Sequence, residues 1–273
     1  MPLRSFPIGP VGEEVYPRFV AELAARLDDP TQDRNVVVRE ALAVLYLGEK
    51  VDFERELLDP AVPLARKALL ATFDPGNATM EAEYYREIDL TKWARVKPLL
   101  WFWQMFDHSP VGRNVRLGTR MRAMLAARVF KKCGKGVRIF HGVEFSFGYN
   151  LTVGDGVTIH RNVLIDDRGE VVIGNDASIS DYVNIYSHSH AVEDIHDVSL
   201  HRTVIGDRAR ITYHSVILSG VQVEKDAIVG SMGVASRPVG PGVIVGGIPA
   251  RPIGQINRRP ERESKVQSPK SKV

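Results

Sequence analysis

His188 and His190 stand two residues apart in the stretch "IYSHSHAVEDIH", residues 185–196. Imidazole is the side chain that titrates nearest neutrality, so it can take a proton from a hydroxyl as that oxygen attacks an electrophile. On an extended segment, residues two apart point the same way, so both rings can face one site, together or with roles exchanged. Upstream, Asn162, Asp166 and Asp167 supply an amide and two carboxylates, groups that hold hydroxyl-bearing ligands. The same Asp-Asp-Arg-Gly run also reads as an ordinary turn, and both readings stay open. A histidine at a loop root is often only a hydrogen-bonding surface residue, and His196, His201 and His214 fit that description. His160 with His188 and His190 raises a metal reading. Cys133 is the only cysteine, so one chain can form neither a disulfide nor a thiolate cluster. No motif surrounds it, and "KKCGKG" reads as a helix end followed by a glycine turn.

The elements that must position these groups follow from an apolar signal that returns every six residues. Branched side chains occupy Ile139, Val153, Ile159, Ile165, Ile173, Ile179, Ile185, Ile205, Ile211, Ile217, Val223, Val229 and Val245, with Phe145 and Ala235 filling two further places. A small or β-branched residue follows four positions after many of them. A period of six is neither a strand's two nor a helix's 3.6. It describes a short strand plus a turn, three of which close one triangular coil with the branched residue pointing inward. Gly with Asn or Asp in "IGND" and "IGDR" suits tight corners. Two spacings of eight, after Phe145 and Ile165, and one of twenty, after Ile185, fall on the same corner of successive coils. Residues 187–202 must therefore leave the body of the solenoid as a protruding loop.

The first 136 residues read as helical. Phe19, Leu23 and Leu27 mark one helical face in a segment starting near Pro17, and "LLWFWQMF", residues 99–106, reads as core packing. Of the 273 residues, 44% are hydrophobic and 25% charged, ordinary for a globular protein. No apolar run is long enough to span a bilayer, and the start of the chain lacks a signal-type apolar core, so a cytoplasmic location is expected. The net charge of +3 is uneven. Residues 251–273 carry seven basic and two acidic groups, and residues 113–135 carry eight basic and none acidic. Two cationic zones on an otherwise acidic chain point to an anionic partner, a membrane surface or a phosphorylated ligand. The second zone reads as a basic amphipathic helix able to touch an anionic membrane; covering the end of the solenoid is the plainer reading.

From about residue 136 to 254 the chain resembles the hexapeptide-repeat acyltransferases, most nearly the maltose and galactoside O-acetyltransferases. Residues 185–202 resemble their active-site loop, 205–239 their coenzyme A-binding coils, and "VGGIPARPIG" their closing segment. The resemblance implies a left-handed parallel β-helix, acetyl-CoA as acyl donor, no metal, and a homotrimer with active sites between subunits. The implied partner besides its own copies is a small-molecule or glycan acceptor, not nucleic acid. His190 aligns with the family's catalytic base and Tyr213 with its backbone oxyanion donor. Asp167 matches an acidic acceptor-binding position, with Asn162, Asp166 and His188 as further acceptor candidates. Gly230 and Ser231 fall where the pantetheine arm is contacted, and Ser236, Arg237 and Arg251 near the phosphates.

The expected organisation is thus a helical region over 1–136, a β-helix acyltransferase domain over 137–254, and a basic, disordered tail over 255–273. The expected activity is O-acetylation of a sugar or glycan-like hydroxyl. Departures from the family matter here. Arg210-Ile211-Thr212 replaces Trp-Ile-Gly, which turns an aromatic wall of the site cationic. Ile248 replaces Asn in the closing segment, and the helical region is far longer than the family's cap, so the acceptor need not be maltose or a galactoside. Competing readings are a non-enzymatic hexapeptide scaffold and a gamma-type carbonic anhydrase. The His-x-His spacing and the closing segment argue against the latter.

Overall fold

The computed structural model describes residues 7–256. The expected tail lies, from residue 257 on, outside them. Among the described residues six α-helices come first: α1 (Pro10–Asp28), α2 (Arg34–Leu47), α3 (Phe53–Leu58), α4 (Leu64–Phe73), α5 (Leu90–His108) and α6 (Val115–Val129). Local chemistry sets most of their ends. Asp33, Asp52, Asp89 and Asn114 accept backbone N–H groups of the first turns of α2, α3, α5 and α6. Gly48 ends α2 at φ 75°, a left-handed cap that glycine adopts without strain.

α1 begins at Pro10, not near Pro17, which lies inside the helix. Tertiary contacts hold the extra turns: Glu13 pairs with Arg116 and the Tyr16 hydroxyl accepts from Asn114 Nδ2, both across to α6 and its cap. Cys133 also departs from expectation. It lies in a short strand paired with Val153, not at a helix end.

The remainder is a parallel β-solenoid of about six coils with three faces. Face A stacks Lys132–Cys133, Leu151–Val153, Glu170–Ile173, Arg202–Ile205 and Gln222–Val223. Face B stacks Arg138–Ile139, Thr158–Ile159, Ser178–Ile179, Arg210–Ile211, Ile228–Val229 and Val243–Gly246, closed by an antiparallel Arg251–Gln255. Face C stacks Glu144–Phe145, Leu164–Ile165, Asn184–Ile185, Val216–Ile217 and Val234–Ala235. The six-residue register is the core. On face B, Ile139, Ile159, Ile179, Ile211, Val229 and Val245 align rung on rung, all buried. The turn residues act between coils. Where face A meets face B, Asn175 Oδ1 accepts from Asp155 N at 2.9 Å and Asp207 Oδ1 accepts from Asn175 N at 2.7 Å. A Cβ at Gly206 would lie 2.5 Å from the Lys225 nitrogen of the next coil, so only glycine fits there.

Helices and solenoid share one hydrophobic core. Trp103 and Phe130 meet Phe145 of the first coil edge-on, with centroids 4.9 and 5.2 Å away. Asp107 of α5 ties the two parts together. Its Oδ1 accepts from Arg122 Nε at 2.6 Å and its Oδ2 from Gly142 N at 2.7 Å. Half of the basic block is therefore spent within the fold: Arg122 is buried against Asp107, Arg116 pairs with Glu13, Arg128 with Asp28 and Lys131 with Glu170. Among the described residues no helix is long and apolar enough to cross a membrane.

Candidate active site

All three insertions emerge on the edge where face C returns to face A. The longest becomes a β-hairpin, His188–His190 against Val198–Leu200, with His190 opposite Val198. Its extended first strand sets both imidazoles on one side, their centroids 5.1 Å apart and their planes at 88°.

Each ring is held by its Nδ1. His190 Nδ1 lies 2.6 Å from the Ile195 carbonyl oxygen, which can only accept, so Nδ1 carries the proton and the lone pair is on Nε2. His188 Nδ1 lies 2.5 Å from Asp166 Oδ2. Asp166 is buried and saturated: it also accepts from Ser187 N at 3.0 Å, His188 N at 3.2 Å and Ser146 Oγ at 3.0 Å. Its neighbour Asp167 faces inward and is wholly buried, accepting from Phe147 N at 2.7 Å and Asn150 N at 3.1 Å. Burial pushes the Asp167 carboxyl up to about 6, against the lowering effect of those N–H groups. It anchors the 147–150 turn and presents no oxygen to a ligand, unlike the acceptor contact expected of it.

A cleft of about 760 Å³ opens beside the two histidines. One wall comes from the helical region, through Tyr84, Tyr85, Arg86 and Glu87; Arg168 and the hairpin residues 195–198 supply the rest. The Arg168 guanidinium sits 4.1 Å over the Tyr85 ring and pairs with Glu87. Sequence reasoning did not single out Tyr84, Tyr85, Arg86, Glu87 or Arg168. Glu87 and Arg168 are 81 positions apart, and no local spacing records such a contact.

The other candidates stand elsewhere. Asn162, Tyr213, Gly230 and Ser231 form a column on the edge between faces B and C. There Tyr182 stacks on His214 at 4.8 Å, and Tyr213 meets His214 edge-on at 4.3 Å. The N–H groups flanking Tyr213 are engaged, Thr212 with Val229 O and His214 with Asp181 O. No described hydrogen bond uses the Tyr213 N–H. Ser231 Oγ lies 3.3 Å from Thr212 Oγ1. Ser236 and Arg237 are exposed, further along the histidine edge, and Arg251 is exposed in the closing strand. One chain thus brings together His188, His190 and Asp166, and keeps Asn162, Tyr213, Gly230 and Ser231 on another edge of the prism. Among the described residues no three His, Cys, Asp or Glu side chains converge as a metal-binding group.

No family model matches the chain. It is 27% identical over 144 residues to the galactoside O-acetyltransferase of Escherichia coli K12, covering 50% of this chain and 70% of that protein. A maltose O-acetyltransferase from Clostridium difficile 630 superposes with a TM-score of 0.54 at 19% identity, over 66% of this chain and 100% of that one. A galactoside acetyltransferase in complex with coenzyme A gives 0.54 at 24% identity, over 66% and 90%. The inward hexad register, the hairpin on one edge of the prism and these likenesses agree: the chain has the fold of the hexapeptide-repeat acetyltransferases and is similar to them in sequence.

Proposed function

We propose that the protein is an acetyl-CoA-dependent O-acetyltransferase that acetylates a hydroxyl of a sugar or glycan-like acceptor, with His190 as general base. The observation that carries this reading is the pinned His190 ring, whose Nδ1–H is committed to Ile195 O while Nε2 is left to accept a proton. In the reaction Nε2 takes the acceptor's hydroxyl proton as that oxygen attacks the thioester carbon. The tetrahedral oxyanion takes a hydrogen bond from the Tyr213 N–H. The C–S bond then breaks, and the leaving thiolate recovers the proton from the imidazolium, giving the acetyl ester and coenzyme A. Asp166 holds His188 beside the base, and Asn162 faces the acceptor. Small groups at Gly230 and Ser231 admit the pantetheine arm, and Ser236, Arg237 and Arg251 meet its phosphates.

His190 and Tyr213 lie on different edges of one prism, so a complete site needs two chains. A heterologous contact of one edge with the other closes into a ring when repeated by a three-fold rotation, and the homotrimer is the assembly this reading requires. The testing experiment is thiol release from acetyl-CoA with a panel of glycosides. His190→Ala is expected to lower kcat by about two orders of magnitude, the scale of a lost general base, with coenzyme A affinity unchanged. An unaltered rate would remove His190 from the mechanism.

A further inference from the structure

Face B carries outward side chains as strictly as inward ones. Its outward ladder pairs Arg138 with Thr158, Thr158 with Ser178, Ser178 with Arg210 and Arg210 with Ile228. The short hydroxyl residues in the middle leave a depression between two arginines. The result is a cleft of about 890 Å³, distinct from the histidine cleft. Thr158, Ala177, Ser178 and Ser180 floor it, and Arg138 and Arg210 close its ends. At a rung spacing near 4.8 Å the two guanidinium-bearing rungs stand about 14 Å apart.

The charges here are not neutralised as they are in α6. Arg138 donates only to Thr158 Oγ1, at 3.1 and 3.2 Å from its two nitrogens. No described ion pair or side-chain hydrogen bond engages Arg210. Arg208, on the rim, is taken by Asp226, and Asp176 is the one carboxylate in the lining. Two guanidinium groups over a hydroxyl floor match an anion with several oxygens.

Position decides which reactant this is. On the proposed function, the donor runs from the Tyr213 level toward the last coils, where Ser231, Ser236 and Arg251 lie. The Arg138–Arg210 groove runs from that level the opposite way, toward the helical cap. That is also the direction in which Tyr84 to Glu87 wall the histidine cleft. We infer that this groove recognises the acceptor, and that the acceptor is an anionic sugar carrying a phosphate or a carboxylate. This inference rests on the acetyltransferase reading but is separable from it.

The experiment is calorimetric titration of the full chain, with and without saturating coenzyme A. The ligands are galactose 6-phosphate, galacturonate and methyl galactoside, and the proteins are wild type and Arg138→Ala/Arg210→Ala. The wild type is expected to bind one of the two anionic sugars at least about tenfold more tightly than the neutral one, the scale of one charged hydrogen-bonding group. The double variant should lose that preference while its affinity for coenzyme A changes by less than about twofold. The phosphate and carboxylate arms tell the two anions apart. Equal binding of all three sugars, no binding of either anion, or an unchanged preference in the variant would overturn the inference. So would a variant that loses coenzyme A instead, since the groove would then belong to the donor's phosphates. Absent coenzyme A binding in the wild type would count against the acetyltransferase reading alone, because the sugar arms without coenzyme A still report on the groove. Far-ultraviolet circular dichroism of the variant confirms that the solenoid is retained.

Discussion

Asp166 and Asp167 are adjacent in sequence and opposite in role. Asp166 turns toward the hairpin and fixes His188, whereas Asp167 turns inward and fixes a backbone turn. The Asp167 carboxyl is pushed up to about 6 by burial, above its ordinary 3.8. Between those values the unfolded chain has released a proton that the folded chain keeps. This residue therefore subtracts stability as pH rises from about 4 to about 6 and adds no further slope above that. Asp167→Asn should remove the effect. Urea unfolding at pH 4.5 and pH 7 is expected to show the stability advantage of the wild type over the variant narrowing at the higher pH; a widening gap would contradict the assignment. The sequence placed both carboxylates next to the hairpin but left site and turn equally open. Side-chain direction at a corner depends on which backbone N–H groups lie unpaired on the coil above, and that is not written locally.

At the scale of elements, the junction of cap and solenoid depends on Asp107. It is the shared acceptor of a buried Arg122 and of the Gly142 N–H. Removing one partner of a buried pair leaves the other charge unpaired, so Asp107→Ala should cost about 3–5 kcal/mol in equilibrium unfolding. A loss under about 1 kcal/mol, the range of an exposed pair, would show that the junction is held by apolar packing alone. The helical stretches and the basic block were legible as pattern. That Arg116, Arg122 and Arg128 are answered by Glu13, Asp107 and Asp28 was not, because each pair joins two different helices, and two of the pairs span about a hundred residues. The same gap explains why α1 reaches back past Pro17.

At the scale of the whole molecule, the proposed function makes assembly part of the chemistry, because it draws His190 and Tyr213 from different edges of the prism. Sedimentation equilibrium of the active protein should return the mass of three chains, and dilution below the dissociation constant should abolish acetyl transfer together with the trimer. A fully active monomer would overturn the two-edge site. The sequence by itself determined the prism: a branched residue every sixth position, small residues four places on, and corner residues that take left-handed backbone are interactions within one coil or with the next, so they repeat along the chain. It also determined which corner extrudes the hairpin, since the insertions are counted along that same repeat. Only the tertiary structure decided what surrounds the two histidines. The Tyr84–Glu87 wall and the Arg168 bridge arise where distant segments meet. Contact energy there depends on three-dimensional proximity, and no spacing along the chain encodes it.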